Sequence, residues 1–262
     1  MPLPDVLKLQ YHSALQSIVA VAWLLLPMMA LEFVKPSHRH QWRTLLFNLA
    51  YAPAFLFLSG VSLWYLGVLL EGRFPGNWLG LSFGEAPAWH WALLIFAYLV
   101  VFDFCYYWLH RAQHRWPLLW RFHRFHHADP VLSVSTATRH HWVEESLRYF
   151  VIGIPLLVLF GHPERSLPWL GVLIGGYGLF IHWDVRLRLG WLGRVIVGPQ
   201  FHRIHHSLER RHFDRNFAVF FPFWDALFGT AHFPEDDEFP ATGVATVARP
   251  NALAQLSPLP PR

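Results

Sequence analysis

The chain has 262 residues, of which 54% are hydrophobic and only 15% are charged, and its mean hydropathy is +0.27. Because a soluble domain carries about 25% charged residues, this composition excludes an ordinary water-soluble globule, and it also excludes a disordered chain. Cys105 is the sole cysteine, which rules out an internal disulfide and a paired-cysteine metal site. The net charge of +4 comes from scattered arginines rather than a basic run, so nucleic acid is not an expected partner.

Five apolar segments are candidates to span or enter a membrane: residues 13–31, 45–70, 90–109, 149–160 and 167–181. The second has no charged residue and the third has only Asp103, and both are long enough for a hydrocarbon core of about 30 Å. The last two are shorter, and together they predict a helical hairpin. We therefore expect a multi-pass integral membrane protein.

Basic residues set the expected orientation of these segments. Lys35, Arg39 and Arg43 lie between the first two segments, whereas residues 71–89 hold only Arg73. The positive-inside rule then places the first connection in the cytoplasm. Counting onward along the chain, the third segment and the hairpin both end on that same cytoplasmic side.

Eight of the eighteen histidines fall into three short motifs that we call histidine boxes. The first box is HRAQH, and the second and third are the nearly identical HRFHH and HRIHH. Spacings of three and four residues place the imidazoles of each box on one face of a helix. The candidate ligands are His110, His114, His123, His126, His127, His202, His205 and His206. Eight imidazoles exceed the four that one tetrahedral zinc takes, so they predict a site for two metals.

Residues outside the boxes supply further candidates. His182 ends the fifth apolar segment on the expected side of the membrane and is a candidate ninth ligand. Three acidic residues could orient ligands through the second ring nitrogen, or could instead make helix contacts or pair with arginine: Asp103, Glu144 and Asp184. Whether His141 is a ligand stays open. Histidines such as His212 and His232 are expected at the surface or at interfaces.

The boxes also define the expected architecture, an all-α membrane helical bundle with a cytoplasmic helical cap that carries all three. Residues 1–89 form the membrane-anchor helices, residues 90–232 the histidine-box domain, and residues 233–262 an acidic, proline-rich tail.

Imidazole alone does not choose between zinc, copper, iron and nickel. A single cysteine cannot hold an iron–sulfur cluster, and the shortage of Cys and Met disfavours copper. Two irons beside a bilayer could activate dioxygen to attack a C–H bond of a lipid. A zinc-dependent membrane hydrolase and a metal transporter or sensor are the alternatives.

The three boxes, in this order behind hydrophobic segments, resemble the fatty acid hydroxylase and sterol desaturase superfamily of membrane di-iron oxygenases. The resemblance covers roughly residues 95–232. It includes residues 139–144, similar to Arg-x-His-Pro-x-Glu with Trp142 in place of Pro, and the WDALFGT sequence of residues 224–230. Arg186 stands where some relatives carry a further histidine.

The resemblance implies that the eight box histidines and His182 ligate two irons, with dioxygen as co-substrate. It implies hydroxylation or desaturation of a membrane lipid such as a sterol or a fatty acyl chain. Electrons would come from a separate redox partner of the ferredoxin, cytochrome b5 or reductase type. That partner would dock near four arginines of the cytoplasmic face: Arg111, Arg115, Arg121 and Arg124. The lipid, the choice of reaction and the oligomeric state stay open.

Overall fold

The computed structural model describes residues 19, 22–34, 42–74, 76–80, 87–161, 169–244 and 255–259. Within these ranges the chain forms helices and loops without a β-strand, and the one β-bridge joins Ser207 to Thr242. The predicted all-α class is therefore confirmed. Part of the first predicted span, residues 13–31, lies outside the described residues.

The α-helices of the described ranges are α1 (Ala22–Val34), α2 (Trp42–Leu69), α3 (Ala88–Arg115), α4 (Pro117–His127), α5 (Trp142–Arg148), α6 (Ile154–Phe160), α7 (Trp169–Ile181), α8 (Pro199–His205) and α9 (Phe223–Leu227). A π-helical turn, Tyr149–Gly153, joins α5 to α6. Helices α2 and α3, of 28 residues each, are long and apolar enough to cross a membrane by length and composition. Helices α1 and α7 are apolar but shorter.

The turn between α3 and α4 follows from one proline. Pro117 disfavours helical geometry at the residue before it, and Trp116 accordingly has φ −104° and ψ 121° and ends α3. Pro117 then occupies the first turn of α4, where its missing N–H costs no hydrogen bond. The chain folds back at this point, so the first and second histidine boxes face each other.

Aromatic and aliphatic side chains hold the third box against the first. Tyr107 of α3, Ile181 of α7 and Phe201 of α8 share a buried cluster with Phe217 and Phe220 from the loop after α8. Each of these five side chains is at most 4% exposed. This packing brings the ends of three helices together and sets the positions of the histidines they carry.

The segment after residue 232, expected as a tail, packs along α8. Gln200 donates from Nε2 to the carbonyls of Glu235 and Glu238, both at 2.9 Å. Arg203, which is buried, donates from Nε to the carbonyl of Pro240 at 2.9 Å. Polar side chains of α8 thus satisfy backbone carbonyls of a segment too rich in proline to form regular structure.

Candidate metal centre

Nine histidine side chains converge in two adjacent groups at the C-terminal end of α3. The five-histidine cluster contains His110, His114, His123, His127 and His205. The four-histidine cluster contains His126, His182, His202 and His206. Within each cluster, one ligand atom per residue lies within 4.8 Å of the others. The structure therefore brings together all nine histidines that the sequence singled out as candidate ligands.

Each three-histidine box contributes to both clusters. His126 and His127 are neighbours in α4, yet their rings enter different clusters, and the same is true of His205 and His206 at the end of α8. Successive residues of a helix point about 100° apart. One HxxHH sequence on a short helix can therefore serve two adjacent sites.

The ring nitrogens in the five-histidine cluster approach closely. The Nε2 atom of His127 lies 3.2 Å from the Nε2 atoms of His114 and His123 and 3.1 Å from that of His205. The Nε2 atom of His110 is buried without a hydrogen-bond partner among the described residues. One nitrogen facing three others cannot donate to all of them.

The four-histidine cluster repeats this geometry. The Nε2 atom of His182 lies 3.1 Å from that of His126 and 3.0 Å from that of His202. The Nε2 atom of His206 lies 3.2 Å from the Nε2 atom of His202.

Hydrogen bonds at the opposite ring nitrogen fix the tautomer of several of these rings. His110 and His205 donate from Nδ1 to the carbonyls of Phe217 and Arg215, both at 2.8 Å. His182 donates from Nδ1 to the carbonyl of Gly178 at 2.6 Å. A neutral imidazole protonated at Nδ1 carries a lone pair at Nε2. Lone pairs that face one another at about 3 Å repel unless a cation lies between them, so this donor set fits metal ions.

The electrostatics of the clusters favour neutral imidazoles. Burial, and then the neighbouring imidazoles, hold the pKa values of His127 and His206 well below the ordinary value. Burial lowers the pKa of His182 and of His205 to about 3. Metal ligation requires the unprotonated ring, so these side chains are in the binding form at neutral pH.

Glu144 makes the contact expected of a residue that orients a ligand. Its Oε2 accepts from His123 Nδ1 at 2.9 Å and from Gln113 Nε2 at 2.7 Å. Burial alone would raise the pKa of Glu144, but the contacts with His123 and His140 outweigh burial and hold the pKa well below its usual value. A charged carboxylate thus fixes the ring of a candidate ligand.

His141 lies outside both clusters and caps α5. Its Nδ1 accepts from the backbone N–H of Val143 at 3.2 Å, while its Nε2 contacts the carbonyl of Ser257 at 3.0 Å. The backbone N–H of His141 in turn donates to Glu144 Oε1 at 3.1 Å. His141, which the sequence left open as a ligand, therefore helps to position Glu144 through its backbone N–H.

For Asp103 and Asp184 the sequence left open ligand orientation, helix contacts and arginine pairing, and the described contacts are of the other kinds. The carboxylate of Asp103 accepts from the backbone N–H groups of Val219 and Phe221, both at 2.7 Å. Asp184 forms a buried ion pair with Arg203 at 3.0 Å. The loop after α8 brings backbone donors to Asp103, and the sequence around Asp103 does not reveal them.

The WDALFGT sequence supports the same loop. Asp225 accepts from the backbone N–H groups of Phe217 and Ala218 at 2.8 and 2.9 Å and from Thr230 Oγ1 at 2.7 Å. Asn216, with a φ of 60°, donates from Nδ2 to the carbonyl of Phe201 at 2.9 Å. Because the loop supplies the carbonyl that receives the Nδ1 proton of His110, this motif contributes to the centre without entering it.

A further polar cluster involves histidines that were expected at the surface or at interfaces. His212 is buried, and its Nε2 lies 3.0 Å from Glu238 Oε1, while His232 Nε2 lies 2.9 Å from Glu238 Oε2. The Nδ1 atom of His212 contacts Ser207 Oγ at 2.8 Å. His212, His232 and Glu238 are separated by 20 and 6 residues, a spacing that does not predict a cluster. Their contacts tie the segment after residue 232 to Ser207, the residue that follows the third box.

A cavity of about 720 Å³ reaches the four-histidine cluster from the apolar helices. Residues of α2, α3 and α7 make up more than half of its lining, and His140 and His182 stand at the histidine end. A volume of this size lies within the usual range of about 300–1,000 Å³ for small-molecule sites. The cavity thus offers an apolar ligand a place beside the candidate metal ligands.

Comparison with known proteins agrees with this geometry. Residues 95–230 match the family model described as fatty acid hydroxylase. Ornithine lipid hydroxylase from Rhizobium tropici is 32% identical over 169 residues, which cover 64% of this chain and 51% of that protein. Alkylglycerol monooxygenase from Danio rerio is 33% identical over 164 residues, which cover 62% of this chain and 35% of that protein. The chain thus spans about half or less of the length of these curated relatives, and no solved structure matches it.

Proposed function

Because the chain belongs to the fatty acid hydroxylase family, we propose that it is a membrane lipid oxygenase. In this proposal the two histidine clusters bind two iron ions, and dioxygen is used to hydroxylate or desaturate a lipid such as a sterol or a fatty acyl chain. One observation carries the proposal: two adjacent clusters of histidine side chains lie together, and one of them borders a large apolar cavity.

The donor set supports iron. Imidazole nitrogens suit iron as well as zinc, and the single thiol, Cys105, belongs to neither cluster. Five and four candidate ligands, in two groups, exceed what a single catalytic zinc requires. When bound, a pair of irons would supply the electron transfer to dioxygen that attack on an unactivated C–H bond requires.

The residues of the chain hold and shield this centre. Glu144 and the carbonyl of Phe217 keep the rings of His123 and His110 turned so that Nε2 faces inward. The apolar cavity wall excludes water from the reacting part of a lipid and binds its hydrocarbon by burial. In this division of labour the protein supplies orientation and a dry environment.

Two apolar helices and the family membership indicate a membrane protein. We further propose that the chain crosses the membrane several times, with the histidine boxes on the cytoplasmic face, as the basic residues between α1 and α2 favour. A separate redox partner of the ferredoxin, cytochrome b5 or reductase type would deliver electrons there. The arginines near α4 that the sequence singled out are the candidate docking residues.

Isotope labelling tests the proposal. Membranes that contain the protein would be incubated with iron, a reductant, a competent electron-transfer partner and ¹⁸O-labelled dioxygen, and their lipids analysed by mass spectrometry. Label in a lipid hydroxyl group shows hydroxylation, whereas a new double bond with label only in water shows desaturation. The His126→Ala variant should form neither product. Turnover that continues without dioxygen would overturn the proposal and favour a zinc-dependent hydrolase.

A further inference from the structure

Glycines form part of the apolar cavity wall. Gly171, Gly175 and Gly178 of α7 line it, and no atom lies within 4 Å of the position that a Cβ atom would take at any of the three. The wall is therefore shaped to accept a hydrocarbon. Against this background, charged groups in the same cavity require an explanation.

Three polar side chains, which we call the polar collar, line the cavity next to the four-histidine cluster: His140, Glu145 and Arg148. Arg148 forms an ion pair from Nη1 to Glu145, and its Nη2 donates to His140 Nδ1 at 3.2 Å. The ring of His140 stacks on the ring of His126, with centroids 4.0 Å apart and planes 16° apart. The guanidinium is thus separated from a candidate metal ligand by a single imidazole.

The collar is costly in this position. An ion pair that is largely removed from water loses solvation that its own attraction repays poorly, and apolar side chains of similar size often give a more stable fold. The pair is followed directly by the π-helical turn Tyr149–Gly153, whose Tyr149, Ile152 and Gly153 line the same cavity. Single π-helical turns occur frequently at functional sites. Two independent features therefore mark this part of the wall.

Arg148 also retains hydrogen-bonding capacity toward the cavity. A guanidinium has five N–H donors, and the hydrogen bonds described for Arg148 engage Nη1 and Nη2 only. Its side chain and that of Glu145 are each 21% exposed. Donors of Arg148 are thus within reach of a molecule that fills the cavity.

We propose that the polar collar binds an oxygen atom of the lipid substrate and so selects the carbon that is oxidised. This inference rests on the proposed function. The substrate class is a lipid whose reacting carbon lies a few bonds from a neutral acceptor oxygen, such as a hydroxyl, ether, ester or amide. Glu145 neutralises Arg148, which favours a neutral acceptor over a free carboxylate. The stacked rings of His140 and His126 set the short distance from that oxygen to the metal centre.

A binding measurement tests the collar without requiring turnover. Radiolabelled 1-hexadecanol and hexadecane would be titrated separately onto purified, iron-loaded protein in lipid nanodiscs, with binding to empty nanodiscs subtracted. The double substitution Arg148→Met with Glu145→Gln removes the ion pair without leaving a charge unpaired. We expect it to lower the affinity ratio of hexadecanol to hexadecane by about tenfold or more, the effect of one hydrogen bond to a charged group.

A matched control uses an ion pair outside the cavity. Arg188 and Asp237 pair at 2.6 Å on the protein surface, so Arg188→Met with Asp237→Asn should leave the affinity ratio unchanged. The same ratio in wild type and collar variant, at equal iron content, would overturn the proposal.

If the double variant loses iron, the single variant Glu145→Gln provides the test of the polar collar instead. It removes the negative charge paired with Arg148 and should shift the preference from hexadecanol toward palmitate, and an unchanged preference would refute the inference. Different results would refute the proposed function and the proposed role of the polar collar. A wild type that shows collar-dependent hexadecanol binding but oxidises no lipid contradicts only the proposed function. Lipid oxidation with unchanged selectivity in the collar variant contradicts only the collar.

Discussion

Replacing Glu144 by glutamine probes how a carboxylate outside the two clusters controls metal binding. In the wild type, Oε2 accepts from His123 and Gln113, while Oε1 accepts from the backbone N–H of His141. The side chain of a glutamine has one oxygen and one NH₂ group, and only the oxygen can accept. With its oxygen in the Oε2 position it keeps the two bonds from His123 and Gln113 and loses only the bond from the His141 N–H. The variant therefore retains the orientation of His123 but loses the negative charge beside it.

The expected magnitude follows from this geometry. Loss of a hydrogen-bonded partner behind a metal-ligating histidine weakens metal affinity by about tenfold to a hundredfold, or about 1.4 to 2.7 kcal/mol. The loss should be confined to the five-histidine cluster, since Glu144 contacts His123 and no side chain of the four-histidine cluster is bonded to it among the described residues. The weakened cap of α5 costs about a further 1 kcal/mol of stability.

Chelator titration with elemental analysis measures the effect. A His202→Ala background removes a ligand of the four-histidine cluster, so the remaining iron reports on the other cluster, and a His114→Ala background gives the reverse. Glu144→Gln should release iron at a lower chelator concentration in the first background only. Glu238→Gln is the matched control, because the Glu238 side chain is only 6% exposed and is bonded to histidines, His212 and His232, that belong to neither of the two clusters. Equal losses in both backgrounds, or the same loss with Glu238→Gln, would refute the reasoning.

Three further predictions concern the cavity, the loop and the pH dependence of stability. Gly175→Leu should fill part of the cavity and reduce lipid turnover at unchanged iron content, whereas Gly67→Leu, at a glycine of α2 that does not line the cavity, should not. Asp225→Asn removes one charged acceptor from buried N–H groups and should destabilise the protein by about 2 to 4 kcal/mol, measured as a lower Tm. Burial raises the pKa of Glu238, but hydrogen bonds from His232, the backbone of Glu235 and His212 outweigh it and hold that pKa below its usual value. A carboxylate whose pKa is lower in the folded than in the unfolded state stabilises the fold at pH values above its unfolded-state pKa. The contribution of Glu238 should therefore disappear as the pH falls through its folded-state pKa. Between neutral and acidic pH, the Tm of Glu238→Gln should therefore fall less than the Tm of the wild type.

The histidine positions were predictable because helical spacing alone determines which imidazoles share a face. The boxes and His182 indeed meet in one region. Their division between two clusters was not predictable from the sequence. His126 and His127 point about 100° apart on α4, but the cluster that each ring enters depends on where the fold places the histidines of α3, α8 and His182.

Other parts of the site depend on contacts between distant residues. Asp103 accepts hydrogen bonds from the backbone N–H groups of Val219 and Phe221, more than a hundred positions away. The type of a residue does not show where its backbone N–H group will point in the fold. The polar collar was missed for a related reason. Glu145 and Arg148 look like an ordinary surface pair in the sequence, and only the fold shows that they face an apolar cavity.

The continuity of α3 has a mechanical consequence. At 1.5 Å per residue its 28 residues extend about 42 Å, which exceeds a hydrocarbon core of about 30 Å, so in a bilayer the helix must tilt or protrude. His110 and His114 lie in its last two turns with no hinge between them and the apolar portion. A change in bilayer thickness that alters the tilt of α3 would therefore displace both imidazoles, and hydrophobic mismatch would couple the lipid composition of the host membrane to the geometry of the centre.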